Sequence, residues 1–243
     1  MYEKPKILPE GDRAILVEFG NEISEECNNK VMALYNFFKE EKPKGIVSLI
    51  PTYRSLLIKY DPLLMPYKQI AEKVEKALSS IKDTAYKNAK VIEIPVVYGD
   101  EFGPDLEFVA SYNKLTPEEV IEIHTKPLYR IYMLGFTMGF AYLGGMSEKI
   151  ATPRLERPRE KIPAGSVGIA DKQTGIYPIE SPGGWRLIGQ TPVKIYDPNS
   201  QNPILLEAGN YLKFVRITKE EFFKIKEEVN QGKFKVNMYD YTN

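Results

Sequence analysis

The chain has 243 residues, 43% hydrophobic and 27% charged, a balance that excludes the disordered, collagenous and disulfide-built classes. Its 33 basic and 33 acidic residues cancel, so the basic excess that marks nucleic-acid or anionic-membrane binders is missing, and neither is expected as a partner. The lone cysteine, Cys27, cannot form an internal disulfide, no secretory leader opens the sequence, and no apolar run approaches the roughly 18 residues of a membrane span. A cytoplasmic protein is the expectation.

In chain order, Arg13 to Phe19 is a β-rich run stopped by Gly20, and Ser24 then opens a stretch whose Cys27, Val31, Leu34 and Phe38 recur at helical spacing. Gly45 to Ile50 and Ser55 to Tyr60 read as two strands joined by a short turn around Pro51, the second stopped by Pro62. Tyr67, Ile70, Val74, Ala77, Leu78 and Ile81 stripe one face of a second helix, and Val91 to Val97 returns to strand. The order β-α-β-β-α-β predicts a split-βαβ, ferredoxin-like unit over residues 1–90, although the last strand equally well opens the next domain.

Two short helices follow, the second with Thr116 as N-cap, Pro117 at the first helical position and Glu119 completing a capping box, ending near His124. From Pro127 to Pro192 the texture changes: this window holds 10 of the 17 glycines and 7 of the 18 prolines, a density that defeats helices and favours short strands closing into a barrel. Pro192 to Tyr196 and Tyr211 to Ile217 read as further strands, and Thr218 to Val229 as a closing helix with its own Thr218/Glu221 capping box. The fold class is therefore α+β, a small N-terminal α/β domain followed by a mainly β domain over residues 91–243.

Arg154, Arg157 and Arg159 lie within six residues on a Pro-stiffened stretch; three guanidinium forks there suit an anion clamp, or, interleaved with Glu156 and Glu160, a solvated surface network. GFTMGFAYLGG over Gly135 to Gly145 lacks the Lys-Ser/Thr of a phosphate loop, but its glycines let backbone approach a ligand or form a bulged barrel corner. His124, the only histidine, has the chemistry of a general acid or base, and equally that of a helix-end or core residue. With one histidine and one cysteine, neither a multi-histidine metal site nor structural zinc is expected. Gln173, Thr174, Tyr177, Ser181 and Trp185 supply polar groups and an aromatic wall for a small amide or carboxylate, or turn residues and a core anchor.

These segments carry a resemblance. GFTMGFAYLGGM, ATPRLERPREKIPAGSVGIA and QTGIYPIESPGGWRLIGQTP, with the earlier GDRAILVEFG, PTYRSLLIKYDP and IPVVYGDEFGPDLEFVA, together resemble the B-subunit family of 5-oxoprolinase, which includes the sporulation kinase inhibitor and the allophanate hydrolase subunit 1 group. The likeness runs from about Gly11 to Val215, with Met138 where many relatives have proline and Val97 where many have cysteine. It implies a cyclophilin-like β-barrel for the second domain and a partnership with the C and A subunits of 5-oxoprolinase. Together these would open the lactam 5-oxoproline to glutamate with ATP, held on this chain or bound at or shared with the partner; no biotin is carried on this chain. The resemblance further implies catalytic roles for His124, Arg154 and Arg159 and substrate binding by Gln173, Thr174, Tyr177 and Gly165. The alternatives it leaves are a regulator docked on a sensor histidine kinase and an allophanate- or urea-type carboxyltransferase component; prolyl isomerisation, suggested by fold alone, comes last.

Overall fold

The structure, a computed structural model, describes residues 1–81 and 89–242. The chain divides into two compact units, Met1–Asn88 and Ala89–Asn243.

The first unit contains strands β1 (Lys6–Pro9), β2 (Ala14–Glu18), β3 (Ile46–Pro51) and β4 (Ser55–Tyr60) and helices α1 (Glu25–Glu41) and α2 (Tyr67–Ser80). Ser24 caps α1 by accepting the Cys27 N–H at 3.2 Å, Glu25 and Glu26 complement the helix dipole, and Lys42 ends it in the left-handed region. Cys27, Val31, Leu34 and Phe38 from α1 and Ile70, Val74 and Ala77 from α2 share one core with Ile15, Val17, Leu56 and Ile58 of the sheet. Burying each larger aliphatic or aromatic side chain contributes about 1.5–3 kcal/mol, which is what commits both amphipathic helices to one face.

The sheet order is β1-β2-β4-β3, antiparallel throughout. The expected split-βαβ is present, with β4 inserted between β2 and β3, but the strand beside β2 is N-terminal β1 rather than the strand after α2. That later strand, β5 (Lys90–Tyr98), lies in the second unit, so the ferredoxin-like order is corrected to ββαββα. β5 has buried residues on both faces, which suits the middle of a larger sheet.

In the second unit β5 leads to α3 (Leu106–Tyr112) and α4 (Pro117–Thr125), whose Thr116/Glu119 capping box forms as expected. Strands β6 (Tyr129–Leu134), β7 (Ala141–Gly144), β8 (Arg159–Ile162), β9 (Ser166–Ala170), β10 (Gln173–Ile176), β11 (Ser181–Gly183), β12 (Arg186–Gln190) and β13 (Tyr211–Arg216) follow. Helix α5 (Lys219–Asn230), with its Thr218/Glu221 box, and β14 (Met238–Asp240) end the described chain.

The main sheet runs β10-β9-β12-β5-β13-β6-β7, with β14 also on β5 and β13 parallel to β5; β8 and β11 form a separate ribbon. Its two ends, β10 and β7, lie against each other, so the sheet is nearly closed like a barrel around Ile94, Ile131, Leu143, Ile169, Ile188 and Phe214. The strand expected over Pro192 to Tyr196 does not form. There the Val193 N–H is taken by Thr191 Oγ1, Pro192 has no N–H, and only an isolated bridge from Tyr196 to Ile204 remains.

Candidate functional site

A cavity of about 190 Å³ opens on the outer face of β10, between the β6–β7 loop and the segment around Trp185. Its walls are aromatic: Phe136, Phe140, Tyr142, Tyr177 and Trp185, with Pro182, Gly183 and Gly184 at the rim and Arg154 and Gln173 as polar groups. The rings meet edge to face, Phe140 on Trp185 at 5.7 Å and 84°, Phe140 on Tyr142 at 5.2 Å, and Tyr177 on Trp185 at 6.2 Å. That arrangement matches ring edges to ring faces and stiffens the walls.

Local sequence explains the indole's seat. Gly168 and Gly175 face each other across the β9–β10 ladder, and a Cβ on either would stand 3.1 Å from Trp185. Gly183 gives Tyr177 its place in the same way, since a Cβ there would lie 2.3 Å from the phenol oxygen and 2.9 Å from Ile162 Cδ1. Gly183→Ala is therefore expected to push the Tyr177 ring out of the wall, to lower stability by about 1–3 kcal/mol as overpacking does, and to shift the Trp185 emission. Denaturant midpoint and fluorescence read both.

Burial pushes the Tyr177 hydroxyl pKa up, outweighing a backbone hydrogen bond from Trp185 and the charges of Arg154 and Arg159. It therefore stays a neutral phenol near neutral pH. Arg154 projects from the loop after the Thr152–Asp171 bridge, its Nε 3.5 Å from Asp171 Oδ2, with both side chains more than half exposed. So open an ion pair is weak, and it leaves the guanidinium accessible from the cavity. The cavity thus offers one cation, one amide and the phenols of Tyr142 and Tyr177 over flat hydrophobic walls, which suits a small planar amide bearing a negative charge.

The residues singled out from sequence divide among four places. Arg154, Gln173 and Tyr177 share this cavity. His124 and Thr174 lie behind it in the barrel interior, each fully or almost fully buried. The His124 Nδ1 is 2.8 Å from the Tyr98 hydroxyl and its Nε2 2.8 Å from Thr174 Oγ1. Because the Thr174 hydroxyl donates to the Gly168 carbonyl at 3.1 Å, it accepts from Nε2–H, leaving Nδ1 to accept from Tyr98. Phe214 at 4.4 Å and Tyr129 at 5.6 Å cover the imidazole, and burial lowers its pKa to about 3. The expectation that His124 lines the pocket is corrected: it is a neutral core residue, hydrogen-bonded through both ring nitrogens and absent from the cavity wall.

Arg159 is not among the lining residues but adjoins the wall from behind, its Nη1 3.4 Å from the Trp185 carbonyl. Its Nη2 pairs with Asp105 Oδ1 at 2.9 Å, while Asp105 Oδ2 accepts the Leu187 N–H at 2.7 Å. Arg157 is exposed, so the three arginines do not converge as a clamp. Gly165, at φ +84°, borders a larger groove of about 530 Å³ with Pro178, Gln190, Thr191, Tyr196 and Phe222. Sequence reasoning passes over Phe136, Phe140, Tyr142 and Asp105. The i, i+2 spacing of Phe140, just before β7, and Tyr142 within it puts both on one side of an extended stretch and is the available signal for the wall.

Residues 5–206 match the family described as carboxyltransferase domain, subdomain C and D. The B subunit of the Bacillus subtilis 5-oxoprolinase is 47% identical over 230 residues, 90% of this chain and 96% of that protein. Among solved structures, the conserved protein PH0987 of Pyrococcus horikoshii is 53% identical, with a TM-score of 0.54 over 89% of this chain and all of that one. A second, TTHA0988, is 37% identical with a TM-score of 0.76 over 85% of this chain; there the match spans 40% of a longer polypeptide. The chain belongs to this carboxyltransferase-domain family and, within it, to the group of 5-oxoprolinase B subunits.

Proposed function

We propose that the chain is the B subunit of an ATP-dependent 5-oxoprolinase, which works with the A and C subunits to open 5-oxoproline to L-glutamate with hydrolysis of ATP. The observation that carries this is the 47% identity to a 5-oxoprolinase B subunit across nearly the full length of both chains. The cavity agrees with it in chemistry. In this reading Arg154 holds the substrate carboxylate, Gln173 and the Tyr177 phenol contact the lactam amide, and Trp185 with Phe140 flanks its ring. Orientation of a compact, resonance-stabilised lactam against fixed donors is the contribution such a site makes. The second unit's nearly closed sheet is read as the cyclophilin-like barrel of the family, and the protein as a cytoplasmic one; among the described residues no helix is long and apolar enough to cross a membrane.

A nucleoside triphosphate does not fit this cavity. At about 190 Å³ it is below the ~300 Å³ at which drug-sized sites begin, and Arg154 is its one cationic wall residue. ATP is accordingly not placed in this cavity, and no step on this chain is routed through it. The family's carboxyltransferase description favours a second reading, transfer of a carboxyl group from a biotinylated partner, which the same assay separates.

The test is co-expression with the candidate C subunit, addition of the A subunit, and measurement of ADP and glutamate with and without 5-oxoproline. Turnover requiring both this chain and 5-oxoproline is expected. With Arg154→Ala the KM for 5-oxoproline rises about tenfold, as for loss of one charge-assisted pair, and Gln173→Ala gives a smaller rise. A stable complex with competent partners and no 5-oxoproline-dependent turnover overturns the reading. It would redirect attention to a carboxyl-transfer substrate or a kinase-docking role.

A further inference from the structure

The Gly135 to Gly139 loop between β6 and β7 is held away from its own preferred state. The Thr137 N–H donates to the Gly135 carbonyl at 2.7 Å, closing a γ-turn centred on Phe136 at φ +62°. A γ-turn with positive φ at its centre is rare, and a bulky aromatic residue is a poor occupant of that region. Phe136 is nevertheless 79% exposed, so the strained backbone places a large apolar ring in water, edge-on to Phe140 at 5.9 Å and on the border of the cavity. Next to it Thr137 Oγ1 is buried with no hydrogen-bond partner among the described residues. The turn ends at Gly139, whose φ of +84° suits glycine and which packs closely against Pro178 and Tyr196.

Strain, an unshielded ring and an orphaned hydroxyl in five residues indicate a segment completed by something bound beside it. Arg154 and Gln173 provide the polar contacts of the cavity and Trp185 its wall, so a ligand held there leaves a face for Phe136 to cover. We propose that Phe136 is a specificity-determining residue of this cavity, its ring closing on the flat face of a small planar cyclic amide. The inference rests on the reading of the cavity as the 5-oxoproline site, and it concerns the ring rather than the carboxylate of the ligand.

The experiment uses the full chain co-purified with its partner, with 5-oxoproline and its carboxylate-free analogue 2-pyrrolidinone as probes. Binding is measured by calorimetry, and dissociation by stopped-flow emission of Trp185, the chain's single tryptophan and part of the cavity wall. Phe136→Ala is expected to weaken both probes about tenfold through faster dissociation, whereas Arg154→Ala weakens only 5-oxoproline. Phe136→Trp restores binding, read by calorimetry with Trp185 in place. Phe136→Gly suits the positive φ, so it raises the denaturation midpoint yet binds as weakly as the alanine variant, which a merely structural role would not produce. If the native complex binds 5-oxoproline, Arg154→Ala weakens it, and Phe136→Ala leaves affinity and dissociation unchanged, the capping role is overturned while the site stands. If the native complex binds neither probe, or binds 5-oxoproline with Arg154→Ala and Gly183→Ala both without effect, the site reading falls and the capping role with it.

Discussion

Lowering the pH from 7 to 5 is expected to remove about 2 kcal/mol of folding stability from the native protein and very little of it from a His124→Gln variant. The imidazole has a pKa of about 3 in the folded chain and 6.5 when unfolded, so between those values the unfolded state binds the extra proton. Stability from this group is complete above pH 6.5 and declines as pH falls through the window, at up to about 1.4 kcal/mol per pH unit. His124 is the only histidine, and histidine is the side chain whose unperturbed pKa falls within this window. Burial also pushes the hydroxyl pKa values of Tyr98 and Tyr129 upward, so both remain neutral donors around it throughout. Urea midpoints at half-unit pH steps give the curve. A native profile as flat as that of the variant would mean that the imidazole reaches water and that its catalytic assignment should be reopened. At pH 7 His124→Ala is expected to cost about 3 kcal/mol, from the core cavity and from stranded Tyr98 and Thr174 hydroxyls.

The same hydrogen-bonded chain shows where sequence reasoning succeeds and stops. The capping boxes at Thr116 and Thr218 are local, complete within four residues, and form as written. The helical stripes of α1 and α2 likewise need no information beyond one face of one helix. β1 and β14 escape notice because strands of four and three largely exposed residues have too few turns of alternation to stand out. Which strand completes the first sheet depends on whether β1 or β5 finds β2, a non-local competition that the hydrophobic pattern of each strand alone does not decide.

The site follows the same rule. Arg154, Gln173 and Tyr177 come from three segments, and motif likeness rather than spacing groups them. Thr174 is adjacent to Gln173, yet alternation along β10 sends Gln173 to the cavity and Thr174 inward to His124. Histidine's chemistry points to catalysis, but its environment, set by residues from Tyr98 to Phe214, makes it a neutral strut. The aromatic wall depends on the Gly168–Gly175 register, which arises only once β9 and β10 pair.

Asp105 and Arg159, 54 positions apart, provide the second large effect. Asp105 sits just before α3 with a side chain only 10% exposed, and it joins β8 through Arg159 and β12 through the Leu187 N–H. Its own N–H returns to the Leu187 carbonyl at 2.9 Å, so one residue fixes the start of β12 from both sides. Asp105→Ala strands a guanidinium that is 30% exposed and a buried backbone donor, and is expected to cost about 3 kcal/mol, the lower end for breaking a buried pair. Asp105→Asn keeps an acceptor for Leu187 and loses only the charge, so about half that cost is expected. Arg159→Met removes the other partner and should lower the urea midpoint comparably, while the KM for 5-oxoproline, measured well below the melting transition, stays within about twofold of native. Arg154→Ala should do the reverse, raising KM with the midpoint nearly unchanged, because its ion pair with Asp171 is open to solvent. An Arg159→Met protein of native stability and greatly reduced turnover would instead place that guanidinium on the substrate. Nearness to a matching motif would then have been the better guide than the ion pair.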